Sequence, residues 1–132
     1  MRVYVATAFV NWRAAYEAHQ ILEGVGCRVT SADWVEDAAA LEGDDSEAPE
    51  YRREAAARGC LAAIDRSDAL VLIEPAEGGV GCFVEVGYAL AKGMPVYVVG
   101  DGRRTIFATL CSVVPDVSAA ARLACRWQKA SA

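Results

Sequence analysis

At 132 residues the chain is one domain's worth of polypeptide. With 55% hydrophobic and 23% charged residues, it can bury a real core and does not read as disordered. No apolar run reaches the roughly 18–20 residues of a membrane span. Five cysteines with no Cys-x-x-Cys pair argue against a disulfide scaffold or zinc knuckle, and a net charge of −5 against a nucleic-acid partner.

The start, Met1 to Phe9, runs straight into a strand pattern without a leader-cleavage pattern, which predicts a cytoplasmic protein. Val3–Ala6 is a short apolar run and reads as a buried strand. Asn11 is a candidate cap for a helix over Trp12–Glu23, which carries Ala15, Ala18, Ile21 and Leu22 at helical spacing and stops at Gly24 and Gly26. Cys27–Ser31 reads as a second strand. Residues 33–54 then hold nine acids against Arg52 and Arg53, a net of −7, so the remaining residues carry +2. The stretch Asp33–Glu47 reads as a long acidic loop and a candidate lid. Pro49 marks the start of a helix over Glu50–Arg66, interrupted at Gly59.

Ala69–Ile73 is the strongest strand signal, followed by the glycine-rich loop Glu77–Gly81 and a helix over Cys82–Lys92. Pro95–Val99 reads as the fourth strand, Arg103–Leu110 as a short helix, Cys111–Val114 as a weak fifth strand, and Ser118 as the cap of a last helix. Strands and helices alternate through connections too long for hairpins. The expected fold is therefore α/β: one doubly wound, flavodoxin- or Rossmann-like domain over residues 1–132, with a five-stranded parallel sheet in the order 2-1-3-4-5. Ligands of such sheets bind beyond the carboxyl ends of the strands, which selects Thr7–Asn11, Asp33–Asp37, Glu74–Gly81 and Gly100–Arg104.

Gly78, Gly79 and Gly81 lie between a buried strand and a helix start. They form either a plain strand-to-helix turn or a cradle for an anion at the helix N-terminus. Glu85 lies one turn into that helix, within Phe83-Val84-Glu85-Val86. It either faces solvent and complements the helix dipole, or is a desolvated functional carboxylate. His19 reads as a packing or surface residue, and Cys82 as a thiol small enough for the turn or activated by the helix start. Trp34 is a pocket wall or an apolar contact, and Arg103 and Arg104 are solvated or phosphate-facing. Asp68 precedes a strand at the edge opposite the ligand end and reads as structural. His19 and the scattered cysteines have no metal-ligand spacing, so neither metal nor cofactor is expected.

The pattern Gly81-x-x-x-Glu85-Val86-Gly87-Tyr88-Ala89 resembles the nucleophile helix of the nucleoside 2-deoxyribosyltransferase-like superfamily, which includes deoxyribosyltransferases and deoxynucleoside 5′-monophosphate N-glycosidases. Val3–Phe9 resembles its first strand and loop, Ser67–Leu72 its S-D-x-x-V segment, and Ala91–Val96 its A-x-G-K-P-V segment. The glycine loop is also similar to that of cytokinin-releasing phosphoribohydrolases, with Glu77 and Cys82 in place of a Pro and a Thr.

The resemblance implies a nucleoside or nucleotide substrate, a nucleophilic Glu85 and a Tyr4 that hydrogen-bonds it. It further implies substrate contacts from Ala6, Thr7, Ala8, Phe9, Gly78, Gly79 and Gly81, and a homo-oligomer for which the last helix, with Trp127, is a candidate interface. Two positions depart from the family. Cys60 stands where it places an acid that protonates the leaving base, and Gly79 where it places a polar residue. Glu74 and Glu77 are candidate substitutes for the acid. A nucleotide-binding module without turnover and a phosphoribohydrolase are the alternative readings.

Overall fold

The computed structural model describes the backbone of residues 1–131 and the side chains up to Cys125. Five parallel strands stand in the order β2-β1-β3-β4-β5. They are β1 (Arg2–Ala6), β2 (Arg28–Val29), β3 (Ala69–Ile73), β4 (Val96–Val99) and β5 (Ser112–Val114). Between them run α1 (Trp12–Gly24), α2 (Ala32–Ala40), α3 (Glu50–Asp65) and α4 (Val80–Ala91), with α5 (Val117–Ser131) at the end. The α/β class and the strand order are those the sequence predicts. Among the described residues, no helix is long and apolar enough to cross a membrane.

The period-two alternation of strand side chains divides the core. Val3 and Val5 of β1 point to one face with Ala69, Val71 and Tyr97, and are covered by α1 and α5 through Ala15, Ala18, Leu22, Ala120, Ala121 and Ala124. Tyr4 and Ala6 point to the other face with Leu70, Leu72, Val96 and Val98, beneath Ile64 of α3 and Val86 and Ala89 of α4. Burying each such aliphatic side chain contributes roughly 1.5–3 kcal/mol before chain entropy is opposed to it. Registers Val3↔Ala69 and Val71↔Tyr97 bring the ends of β1, β3 and β4 level on the side where the next loops emerge.

Several local expectations are corrected. The acidic stretch is not one long loop. Ala32–Ala40 is helical because Val35 and Ala38 reach the core on one side while Asp33, Glu36 and Asp37 stay outside. Only residues 41–49 turn, and Gly43 (φ +77°) lies so close to Val10 that a Cβ there would stand 3.0 Å from the Val10 Cα. α3 runs unbroken through Gly59, and β2 pairs over just two residues.

Asn11 does not cap α1 with its side chain. A 3-10 turn over Phe9–Asn11 leads into the helix instead, and the Asn11 amide donates to the Thr7 hydroxyl at 3.1 Å. Asp116, not Ser118, starts α5, its carboxylate accepting from the Ala119 amide at 2.7 Å. The short helix before β5 is a 3-10 helix over Ile106–Leu110. The side chain of Trp127 lies outside the described residues.

Candidate active site

Tyr4 is fully buried, and its position on β1 sends the ring under α4. Its hydroxyl donates to Oε2 of Glu85, a half-buried residue of α4. The thiol of Cys60, in the C-terminal half of α3, lies close enough to both groups to act on their titration. Three polar side chains from a strand and two helices thus converge in an otherwise apolar layer.

Their electrostatics follow from that setting. Burial pushes the Glu85 carboxyl up to about 7, against the opposing pull of hydrogen bonds from Tyr4 and Cys60. Burial and then the Glu85 charge drive the Tyr4 hydroxyl far above its ordinary value, so it remains a donor. Burial also raises the Cys60 thiol, to about 11, with the Tyr4 hydrogen bond opposing and the Glu85 charge adding to the rise. Near neutrality, therefore, Glu85 is the member of the trio that exchanges a proton with solvent.

Above the trio a cavity of about 990 Å³ opens past the carboxyl ends of β1 and β3, where a doubly wound sheet binds its ligands. Thr7, Ala8 and Phe9 form one wall, Gly79, Val80 and Gly81 another, and Glu85 and Cys60 also line it. The outer wall comes from Trp34 and Asp37 of α2 and from the exposed half of α3, including Arg53 and Arg58. Phe9 and Trp34 form a tilted aromatic pair with centroids 6.4 Å apart, and Trp34 is fixed by donating from Nε1 to the Val5 carbonyl at 2.9 Å. Arg58 is engaged by Glu54 at 3.0 Å.

The glycine loop is built by close approach. Gly79 is the residue before α4 and has φ +78°. A Cβ there would stand 2.8 Å from Pro75 Cγ and 3.0 Å from Cys82 Sγ, so neither the backbone angle nor the space admits a side chain. The Cys82 thiol turns back to donate to the Gly79 carbonyl at 2.9 Å. Burial raises that thiol to about 12, which opposes the reading of an activated cysteine at the helix start.

The structure brings Tyr4 and Glu85 together and places Thr7, Ala8, Phe9, Gly79 and Gly81 on the cavity. Ala6 and Gly78 are not part of its lining. Ala6 is core, and Gly78 offers its carbonyl outward to Arg104 at 3.3 Å. Arg104 also donates to the Pro75 carbonyl, so it braces the glycine loop instead of facing a phosphate. Neither candidate substitute acid reaches the site. Glu74 packs against Gly100 beside Asp101, while Glu77 is exposed and off the cavity.

Asp68 lies at the opposite sheet edge, accepting from the Arg2 amide at 2.8 Å. His19 is buried on the other face, 2.8 Å from the Ser31 hydroxyl, which itself accepts from the Val5 amide. Besides Glu85, the cavity is lined by the carboxylates of Asp45, Glu50 and Glu54 and, from α2, by that of Asp37. The signal of Asp37 in the sequence was its place after the second strand and three residues from Trp34, a spacing that puts both on one face once the segment is helical.

Three comparisons bear on this arrangement. Among curated proteins no relative matches. Among solved structures, the CMP N-glycosidase BcmB of Clostridium botulinum superposes with a TM-score of 0.57 at 13% identity, over 93% of this chain and 97% of that one; at this identity the likeness is one of fold. The family model described as nucleoside 2-deoxyribosyltransferase matches residues 3–122, nearly the whole α/β sheet with its helices. The chain belongs to the nucleoside 2-deoxyribosyltransferase family.

Proposed function

We propose that this protein breaks or transfers the N-glycosidic bond of a nucleoside or nucleoside 5′-monophosphate, with Glu85 as nucleophile. The observation that carries the reading is the desolvated Glu85 carboxylate, held by the buried Tyr4 hydroxyl at the floor of the cavity. Family membership and the N-glycosidase fold neighbour support it.

Tyr4 donates to Oε2, and in this reading Oε1 is the oxygen that bonds to the anomeric carbon. As that bond forms, the bond from C1′ to the base nitrogen breaks, and its electron pair leaves with the base, which takes up a proton from water. A carboxylate beside the sugar stabilises the positive charge that develops there. Water or a second base then attacks C1′ and returns Glu85 to a carboxylate. Thr7, Ala8, Phe9 and the loop residues Gly79 and Gly81 surround the sugar and base in this reading, and Arg53 is the basic side chain placed to offset the acidic rim for a phosphate.

The direct test is base release from a panel of nucleosides and 5′-monophosphates. Wild type is expected to release base from at least one, and Glu85→Gln to lose activity by 10³-fold or more, a magnitude on the order reported for loss of a catalytic group. Equal rates in both, or none in either, overturn the reading.

Cys60, at the place where the resembled enzymes hold an acid, favours a second reading: a nucleotide-binding module without turnover. That reading expects nucleotide binding that survives Glu85→Gln, with no product. Reaction of ribonucleoside 5′-monophosphates alone would instead identify a phosphoribohydrolase. We also propose a homodimer or larger assembly. Val80 and Val84, 78% and 63% exposed, lie one helical turn apart beside the cavity, where a second copy would cover them. Five free cysteines fit a reducing, cytoplasmic setting.

A further inference from the structure

We propose that Asp37 reads the base and selects those carrying an exocyclic amino group, cytosine or adenine, over their oxo counterparts, uracil and hypoxanthine. The inference rests on the cavity being an N-glycosidic site and adds to it the class of base.

Four observations place Asp37 there. It lines the same cavity as Glu85. It follows Trp34 by three residues on α2, so the two side chains lie on one helix face. Trp34 is fixed to the Val5 carbonyl and paired with Phe9, which gives the cavity an aromatic wall at that level. Asp37 is also near enough to Cys60, the neighbour of Glu85, for its charge to act on the thiol. In the proposed pose C1′ lies over Glu85 and the base against Phe9 and Trp34, with its edge toward Asp37, about one helical turn from Trp34.

The chemistry of that edge follows from the carboxylate. An ionised Asp accepts hydrogen bonds and donates none. An amino group presents it with N–H donors. A carbonyl oxygen at the same place meets it lone pair to lone pair and offers it no donor. Sites built to receive an N–H discriminate in this way. The ion pairs among the described residues join Arg2 to Asp68, Arg58 to Glu54 and Lys92 to Asp65, and do not include Asp37. It is exposed at the rim, so replacing it leaves the core intact.

The test compares CMP with UMP and AMP with IMP, in ribo and 2′-deoxy forms. kcat/KM is measured for wild type and Asp37→Asn, and affinity by calorimetry for Glu85→Gln and for Glu85→Gln combined with Asp37→Asn. The expected result is an amino-over-oxo preference of about tenfold or more in wild type, falling to within about threefold in Asp37→Asn, because an amide can turn to donate or accept. The calorimetric preference in Glu85→Gln should fall in the same way. A preference that Asp37→Asn leaves unchanged, a preference for oxo bases, or no binding of any of the nucleotides overturns the proposal. Absence of cleavage together with an Asp37-dependent binding preference supports it and removes only the glycosidase reading.

Discussion

In its proposed role as nucleophile Glu85 must be ionised, yet it lies in an apolar layer that favours its neutral form. Tyr4 reconciles the two demands, because a hydroxyl that donates to the carboxylate stabilises the charged state. With Glu85 brought to about 7, the wild-type kcat/KM is expected to fall as pH drops through that value and to level off above it. Tyr4→Phe removes a hydrogen bond that pulls the carboxyl down, so its acid limb should lie at higher pH, with a lower plateau. A pH–rate profile of both proteins reads this directly, and coincident limbs would contradict the role given to Tyr4.

The same residue leaves a mark on stability. A carboxyl raised in the folded state binds its proton more tightly there than in the unfolded chain. Its contribution is therefore full below the unfolded value of about 4.5 and is lost as pH rises through about 7. Glu85→Gln has no such loss. Its stability relative to wild type is expected to grow between pH 4.5 and 7 by on the order of 3 kcal/mol and then stay level. Urea titrations at a series of pH values test it, and a difference independent of pH would show that Glu85 is not desolvated.

At the scale of elements, the turn between β3 and α4 sets the helix that carries Glu85 in place. Gly79 takes a backbone angle that L side chains avoid, at a cost on the order of 1–2 kcal/mol for any replacement. Contact with Pro75 and Cys82 adds to that cost. Gly79→Ala should lower stability by about 2 kcal/mol or more, read as a lower urea midpoint at unchanged slope. An unchanged midpoint would show that the loop relaxes.

β1, β3 and β4 were legible in the sequence because strands buried on both faces read as continuous apolar runs, as in Ala69–Ile73. α2 was not, since only Val35 and Ala38 of its nine residues are buried, and its acids resemble those of the turn that follows. The convergence of Tyr4 with Glu85 was legible only through resemblance, as 81 residues separate them. Asp37 lay within the ligand-end stretch Asp33–Asp37 that the sequence selects, but its alignment with Trp34 on one face followed only from α2 being a helix.

At the scale of the molecule, the sheet divides labour between its two faces. The α1/α5 side is closed by small residues, with Ala15, Ala120 and Ala124 fully buried, and holds the His19–Ser31 pair away from the cavity. The α3/α4 side carries the candidate site and leaves Tyr51, Val80 and Val84 exposed. An assembly through that side would bury those residues and narrow the mouth of the cavity together. Sedimentation equilibrium is expected to show a dimer or larger species for wild type and a monomer for Val84→Glu. A wild type that is monomeric across the micromolar range would remove the assembly proposal.

The seat of Gly79 also limits how the chain can diverge. With Pro75, Cys82 and Ala8 packed around it, a single codon change there meets a steric wall whatever the new side chain could do for chemistry. Cys60 and Asp37 stand under no such constraint, being half-buried and exposed on helix faces that already look into the cavity. Variation that altered ligand choice would therefore accumulate on α2 and α3, while the loop above Glu85 stayed fixed.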